Sequence, residues 1–184
     1  MAVFKSFDAE FPPLDPFPGC YAVCGYIGGR ESTTDNVWTP DQWNAASGGG
    51  RLRQLPVWGA RFQFPPAQEA TAAVEAAKAL GFAEQRGIVL DLETWVDGIW
   101  VRSFISSVRA LKYRSITYGS QSSVFLNPAD AGYWVADWDG SPIVNGLNVL
   151  GHQYIAGVPW QGGQVDLSGW DESALDLFGK GPRR

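Results

Sequence analysis

Short apolar runs alternate with helical patterns along this chain, and that alternation decides the class of fold. Cys20–Ile27, Leu55–Trp58, Gly87–Glu93, Ser115–Gly119, Tyr133–Ala136 and Val149–Ile155 read as strands, rich in β-branched and aromatic residues. Gln164–Leu167 reads as a last, short strand. Helix signals fall between the early ones. Thr39 is an N-cap, Pro40 takes the first helical position, Gln42 closes a capping box, and Ser47–Gly50 stops the helix. Pro65-Pro66 opens a second helix, with Ala70, Ala73, Val74, Ala77 and Leu80 at helical spacing and Gly81 at its end. Trp100, Val101, Phe104, Ile105, Val108 and Leu111 mark a third, capped by Asp97. Ser173–Phe178 reads as a closing helical turn.

Strands joined through crossover helices make a mainly parallel sheet, and seven or eight of them in one domain suggest a barrel. Helical signal fades in the second half. The expected fold is therefore α/β: a flattened, helix-poor (β/α)8-type TIM barrel over residues 20–179, in a single domain. Residues 1–19 hold Pro12, Pro13, Pro16 and Pro18 among Phe4, Phe7, Phe11 and Phe17, which predicts an extended arm packed on the barrel. Lys180–Arg184 forms a short basic tail.

Composition narrows the chemistry. Of 184 residues, nine are Trp and only one is His, with two Cys, so a zinc site built from several His and Cys ligands is excluded. Nineteen Asp and Glu against fourteen Lys and Arg give a net charge of -5, which argues against phosphate-backbone binding. Many Trp, excess acid and almost no His suit carboxylate chemistry on a neutral ring-shaped ligand such as carbohydrate. Gly28-Gly29-Arg30 and Gly48–Arg51 match neither a P-loop nor a dinucleotide fingerprint, so no cofactor and no metal are expected. His152 has no Gly-x-Ser-x-Gly elbow to serve and reads as a strand residue.

Cys20 and Cys24 sit on one predicted strand. Four residues at ~3.3 Å each separate them by about 13 Å, too far for a disulfide, which needs under about 7 Å. Both are expected to be free thiols. The N-terminus has no basic start, apolar run or cleavage site, and no window approaches ~18 apolar residues. The expectation is synthesis in the cytoplasm without a signal peptide or membrane span.

Active sites of parallel α/β barrels lie at the C-terminal ends of the strands. Asp91 and Glu93 close one strand, and their spacing of two points both to one side. Asp137 and Asp139 close another, though Asp139-Gly140 also suits a turn, and Asp166 closes the last. Tyr118, Gln153 and Tyr154 stand near other strand ends. Converging carboxyls are the equipment of glycoside hydrolysis: one protonates the leaving oxygen while another supports the cationic transition state. Trp95, Trp138 and Trp160 follow strand ends and are the better sugar-stacking candidates, whereas Trp38, Trp43 and Trp58 read as packing.

These segments come in a telling order. Val89–Glu93, Tyr118-Gly119-Ser120, Tyr133–Asp137, His152-Gln153-Tyr154 and Val165–Ser168 resemble the series seen in family-25 glycoside hydrolases, lysozymes with a flattened barrel. Tyr26–Gly29 and Val37–Pro40 resemble, more closely, the glycoside-hydrolase-like domains common in actinobacteria and their phages. The resemblance covers residues 20–170. It implies Glu93 as general acid, Asp91 as helper of the substrate's acetamido group in a retaining mechanism, and Asp166 as a further catalytic acid. It implies Tyr118, Gln153 and Tyr154 as substrate-binding positions lining the cleft; Asp137, Trp95 and Trp138 join them from their places at or after strand ends. The implied reaction cleaves the β-1,4 bond after N-acetylmuramic acid in peptidoglycan or a related cell-wall glycan.

One element of that pattern is missing. The lysozymes carry an Asp on their first strand, and Cys20–Ile27 has no acid. Asp8 and Asp15 are the acids that a folded-back arm would bring there. Without such an acid, the fold suits a catalytically silent structural, decoration or tail protein of a phage virion. The arm and tail would then contact virion proteins or further copies of the chain.

Overall fold

The computed structural model describes residues 3–29, 37–92 and 97–179. Eight strands close a barrel in chain order: β1 Val3–Ala9, β2 Ala22–Gly28, β3 Arg53–Gly59, β4 Gly87–Asp91, β5 Arg114–Ser120, β6 Gly132–Ala136, β7 Val149–Trp160 and β8 Gly163–Asp171. β1 to β7 run parallel. β8 runs antiparallel to both β7 and β1 and closes the ring between them. Among the described residues, four helices accompany the barrel: α1 Pro40–Ala46, α2 Pro66–Ala79, α3 Gly98–Ala110 and the short α4 Gln121–Val124. A 3-10 helix, Glu172–Leu177, ends the described chain. The fold is thus the expected single-domain, helix-poor (β/α)8-type barrel.

The barrel begins at Val3, not at Cys20. The segment read as an arm contributes a full strand, hydrogen-bonded to β2 on one edge and β8 on the other. Its prolines start at Pro12, after the strand has ended, so none removes a ladder donor from it. They shape the β1–β2 connection instead. In the segment Ser6-Phe7-Asp8 the faces alternate. Phe7 packs outward against the helical layer, while Ser6 points into the barrel, where its Oγ accepts a hydrogen bond from the Trp170 indole at 2.8 Å. Asp8, two residues on, shares the inner face.

Local signals hold where they were read. Thr39 and Gln42 form the reciprocal capping box of α1, and the Asp97 carboxylate accepts the Ile99 amide at the start of α3. Two apolar layers result. Ala22, Cys24, Leu55, Val57, Val89, Ile116, Trp134 and Trp170 fill the barrel. Val23, Trp38, Trp43, Ala70, Val74, Leu90 and Phe104 lie between barrel and helices. Most of the Trp excess is spent here: Trp38, Trp43, Trp58, Trp134 and Trp170 are all buried. Cys20 and Cys24 are free thiols. Among the described residues, no helix is long and apolar enough to cross a membrane.

Candidate active site

Asp8 occupies the inner face of β1 one residue before its C-terminal end, where a barrel carries its active site. Directly opposite, on β8, stands Asp166. Asp166 does not close its strand as expected. It is the fourth residue of β8, and it reaches this mouth because β8 runs against all the others. An antiparallel strand presents its N-terminal half where the parallel strands present their C-terminal ends.

Gln153 of β7 joins the two acids. Its amide Nε2 donates to both carboxylate oxygens of Asp8, at 3.2 and 3.3 Å, and to Asp166 at 3.2 Å. Its Oε1 accepts from the Tyr118 hydroxyl at 2.9 Å and the Trp138 indole at 3.0 Å. A bulge in β7 turns the Gly157 amide onto Asp166, 2.7 Å away. Asp91 ends β4 and is buried, and the Tyr26 hydroxyl of β2 donates to it at 2.8 Å. Sequence reasoning gave Tyr26 no role of its own; its signal was only its place near the end of an apolar strand.

Electrostatics follow from this crowding. Withdrawal from water pushes the Asp8 carboxyl well above the usual carboxylate range, and the charges of Asp166 and Asp91 push the same way. The Gln153 hydrogen bond works against the rise. Burial also raises Asp166, opposed by the Gly157 amide. Tyr118 is raised by burial and by the three acids, so its hydroxyl stays protonated as a donor. Like-charged carboxyls in one low-dielectric mouth cannot all ionise readily, which keeps a proton available for acid catalysis.

The mouth is open. A cavity of about 150 Å³ is lined by Asp8, Cys24, Tyr26, Tyr118, Trp134 and Asp166, among others. A second, of about 340 Å³, adjoins it along Asp8, Glu10, Phe11 and Gln164. Together they form a cleft that runs past the acid pair. The β1–β2 connection borders this cleft without plugging it. It is tied instead to the β7–β8 hairpin, where the Gln161 amide accepts from the Leu14 and Asp15 backbone and donates to the Asp15 carboxylate. Asp15 is therefore not the acid of the first strand.

Other predicted positions fall elsewhere. Glu93 and Trp95 lie outside the described residues. Tyr154 follows Gln153 on β7 and so faces the opposite way, toward Cys20. Asp137 is exposed beyond β6, and its backbone rather than its carboxylate makes the visible contacts. Trp138 is 66 % exposed, and its indole N–H reaches Gln153 behind the acids. Trp160 is half-buried against Phe17. His152 clasps the β6–β7 loop, with Nδ1 3.1 Å from the Ile143 carbonyl and Nε2 2.7 Å from that of Asp137. Its ring and the carboxylates of Asp137 and Asp139 bring potential ligand atoms within 4.8 Å of one another. The ring nitrogens already face carbonyls, so a cation there would have to displace a hydrogen bond.

No protein-family model matches this sequence, and no curated protein matches it. Solved structures share its fold. The catalytic domain of an endolysin from a Listeria monocytogenes bacteriophage aligns with a TM-score of 0.72 at 18% identity, over 95% of this chain and 96% of that one. A Tat-secreted protein of Mycobacterium tuberculosis in complex with L-tartrate gives 0.71 at 12%, over 94% and 98%. A family 25 glycosyl hydrolase from Bacillus anthracis gives 0.68 at 14%, over 96% and 93%. The chain is thus similar in fold to family-25 glycoside hydrolases.

Proposed function

We propose that this protein is a peptidoglycan hydrolase of the muramidase type. The observation that carries the reading is the meeting of Asp8, Asp91 and Asp166 at one barrel mouth beside an open cleft. Asp8 stands where the family pattern needs a first-strand acid. The fold likeness to an endolysin catalytic domain and to a family 25 glycosyl hydrolase supports the same substrate class. The endolysin also supports a phage-borne setting.

In this proposal Glu93 protonates the leaving glycosidic oxygen as the bond to the anomeric carbon breaks. The substrate's acetamido oxygen bonds to that carbon from the other face, and Asp91 stabilises the positive charge that results. Water then attacks the same carbon as its bond to the acetamido oxygen breaks, and the proton lost by the water goes to Glu93; the two displacements together retain the configuration. Asp166, the less strongly raised of the facing pair, holds negative charge near the oxocarbenium-like transition state. Trp138 gives a sugar ring a surface to stack on.

An absent first-strand acid was one ground for the silent virion reading, and Asp8 weighs against that ground. The test is direct. Purified protein is incubated with cell walls from several bacterial groups, and new reducing ends are measured. Release that is lost in both Glu93→Gln and Asp8→Asn is the expected outcome. Folded protein that releases none from any wall would overturn the proposal.

A further inference from the structure

We infer that Gln153 is a positioning residue: one side-chain amide holds Asp8 and Asp166 in a fixed pair, and Trp138 fixes the sense of that amide. The inference rests on the muramidase reading for its kinetic consequence, but not for its structural one.

The hydrogen-bond inventory of an amide carries the argument. Gln153 has two N–H donors and one carbonyl oxygen with two lone pairs. Nε2 reaches Asp8 and Asp166, while Oε1 takes the Tyr118 hydroxyl and the Trp138 indole. Every donor and acceptor is used, and the residue is 1 % exposed. An amide turned over by half a rotation would set its oxygen against two carboxylates. It would also set its NH2 against the Trp138 N–H, which can only donate. The Tyr118 hydroxyl could adapt to either sense, so Trp138 is the partner that decides.

The acids sit on β1 and β8 and the amide on β7, and the deciding indole comes from the exposed loop after β6. The ring that offers a sugar a stacking face also orients the donor behind the acids. Among the described residues, the groups around Asp8 that carry or can gain charge are Glu10 and Cys20 from the β1–β2 connection, Cys24 and Tyr26 from β2, Asp91 from β4, Tyr118 from β5 and Asp166 from β8. None of these supplies a cationic partner. The neutral Gln153 amide thus donates to both facing carboxylates at once and offsets part of the cost of holding them in a narrow space.

The experiment has two arms. In the first, the carboxyl carbon of Asp8 is titrated by NMR in wild-type protein and in Gln153→Met. Loss of the donor is expected to move the Asp8 titration to higher pH. An unmoved titration overturns the inference whether or not the protein is an enzyme. Should Gln153→Met fail to fold, Trp138→Phe on the exposed loop replaces it; a smaller upward movement is expected, and none at all overturns. In the second arm, Gln153→Glu is assayed on cell walls. Only the protonated carboxyl can donate, so the pH optimum should shift to acid. At neutral pH kcat should fall about 10- to 100-fold, the range of a lost charge-assisted hydrogen bond, with KM little changed. A wild-type pH profile would show Gln153 to be packing alone. Absence of any wall hydrolysis by wild type sinks the functional reading and leaves the first arm to decide this one.

Discussion

Asp8 and Asp166 face each other across the antiparallel β1–β8 pair and take hydrogen bonds from the same amide group of Gln153. The pair is made by closure of the ring. Its members come from the first and last strands, and neither strand alone brings more than one acid to the mouth.

Replacing Asp8 should separate stability from activity. The folded Asp8 carboxyl titrates above its unfolded value of about 3.9. Its favourable protonated state is thus fully populated below that unfolded value. The contribution is lost as pH rises through the raised folded value. Asp8→Asn, neutral at all pH, should therefore raise Tm at pH 7 by roughly 2–4 °C for each kcal/mol relieved. The gain should shrink toward zero near pH 3, while wall hydrolysis is lost. Calorimetry at the two pH values checks the sign; destabilisation at pH 7 would count against the buried-charge account.

Tyr26→Phe removes the hydroxyl that donates to Asp91 at 2.8 Å. Hydrogen bonds to charged groups contribute about 1.5–3 kcal/mol. The cell-wall hydrolysis rate should fall about 10- to 100-fold, with Tm changed by only a few degrees. Initial rates and a melting curve on the same preparation test this.

Glu69 is a structural acid. Its carboxylate is fully buried and accepts from the Trp58 indole at 3.0 Å, from the Arg61 backbone at 3.3 Å and from the Arg61 guanidinium at 2.9 and 3.1 Å. Glu69→Ala leaves the buried Trp58 N–H without its partner. The expected cost is about 3 kcal/mol, toward the low end because Arg61 can rehydrate. Urea unfolding should show the loss in the midpoint with an unchanged slope.

Gly29 follows β2 with a φ of 104°, and a Cβ there would meet the Gly59 carbonyl oxygen at 1.8 Å. The end of β2 must move away from β3 in Gly29→Ala. Combined backbone strain and overlap predict destabilisation of about 2–4 kcal/mol. Tyr26, three residues before, should shift with it, so hydrolysis should fall more than in a Gly49→Ala control, at an exposed glycine of similar φ with open space around it. Equal effects of the two substitutions would sink this account.

Much of the architecture could be read locally. The capping box of Thr39 and Gln42 and the Asp97 cap lie within four residues of what they cap, so sequence spacing alone predicts them. Asp91 was legible because an acid at the end of an otherwise apolar strand stands out. Trp38, Trp43 and Trp58 were read as packing, and all three are buried.

The site was less legible than the frame. Asp8 was named only as one acid of an arm, beside Asp15, and its strand was hidden by the prolines that follow it. Tyr154 carries the same motif evidence as Gln153, yet alternation on β7 turns it to the other face. Asp166 appeared to close a strand that in fact it nearly opens.

Residue type, spacing and capping chemistry are short-range quantities, and they settled the class of fold, the helices and most strands. Which carboxylates meet is a long-range quantity. It depended on β1 pairing with both β2 and the reversed β8, which bury Phe7 against the helical layer and turn Ser6 and Asp8 inward. Only closure of the barrel sets Asp8, Gln153 and Asp166 within hydrogen-bonding distance. No local preference along the chain encodes that closure.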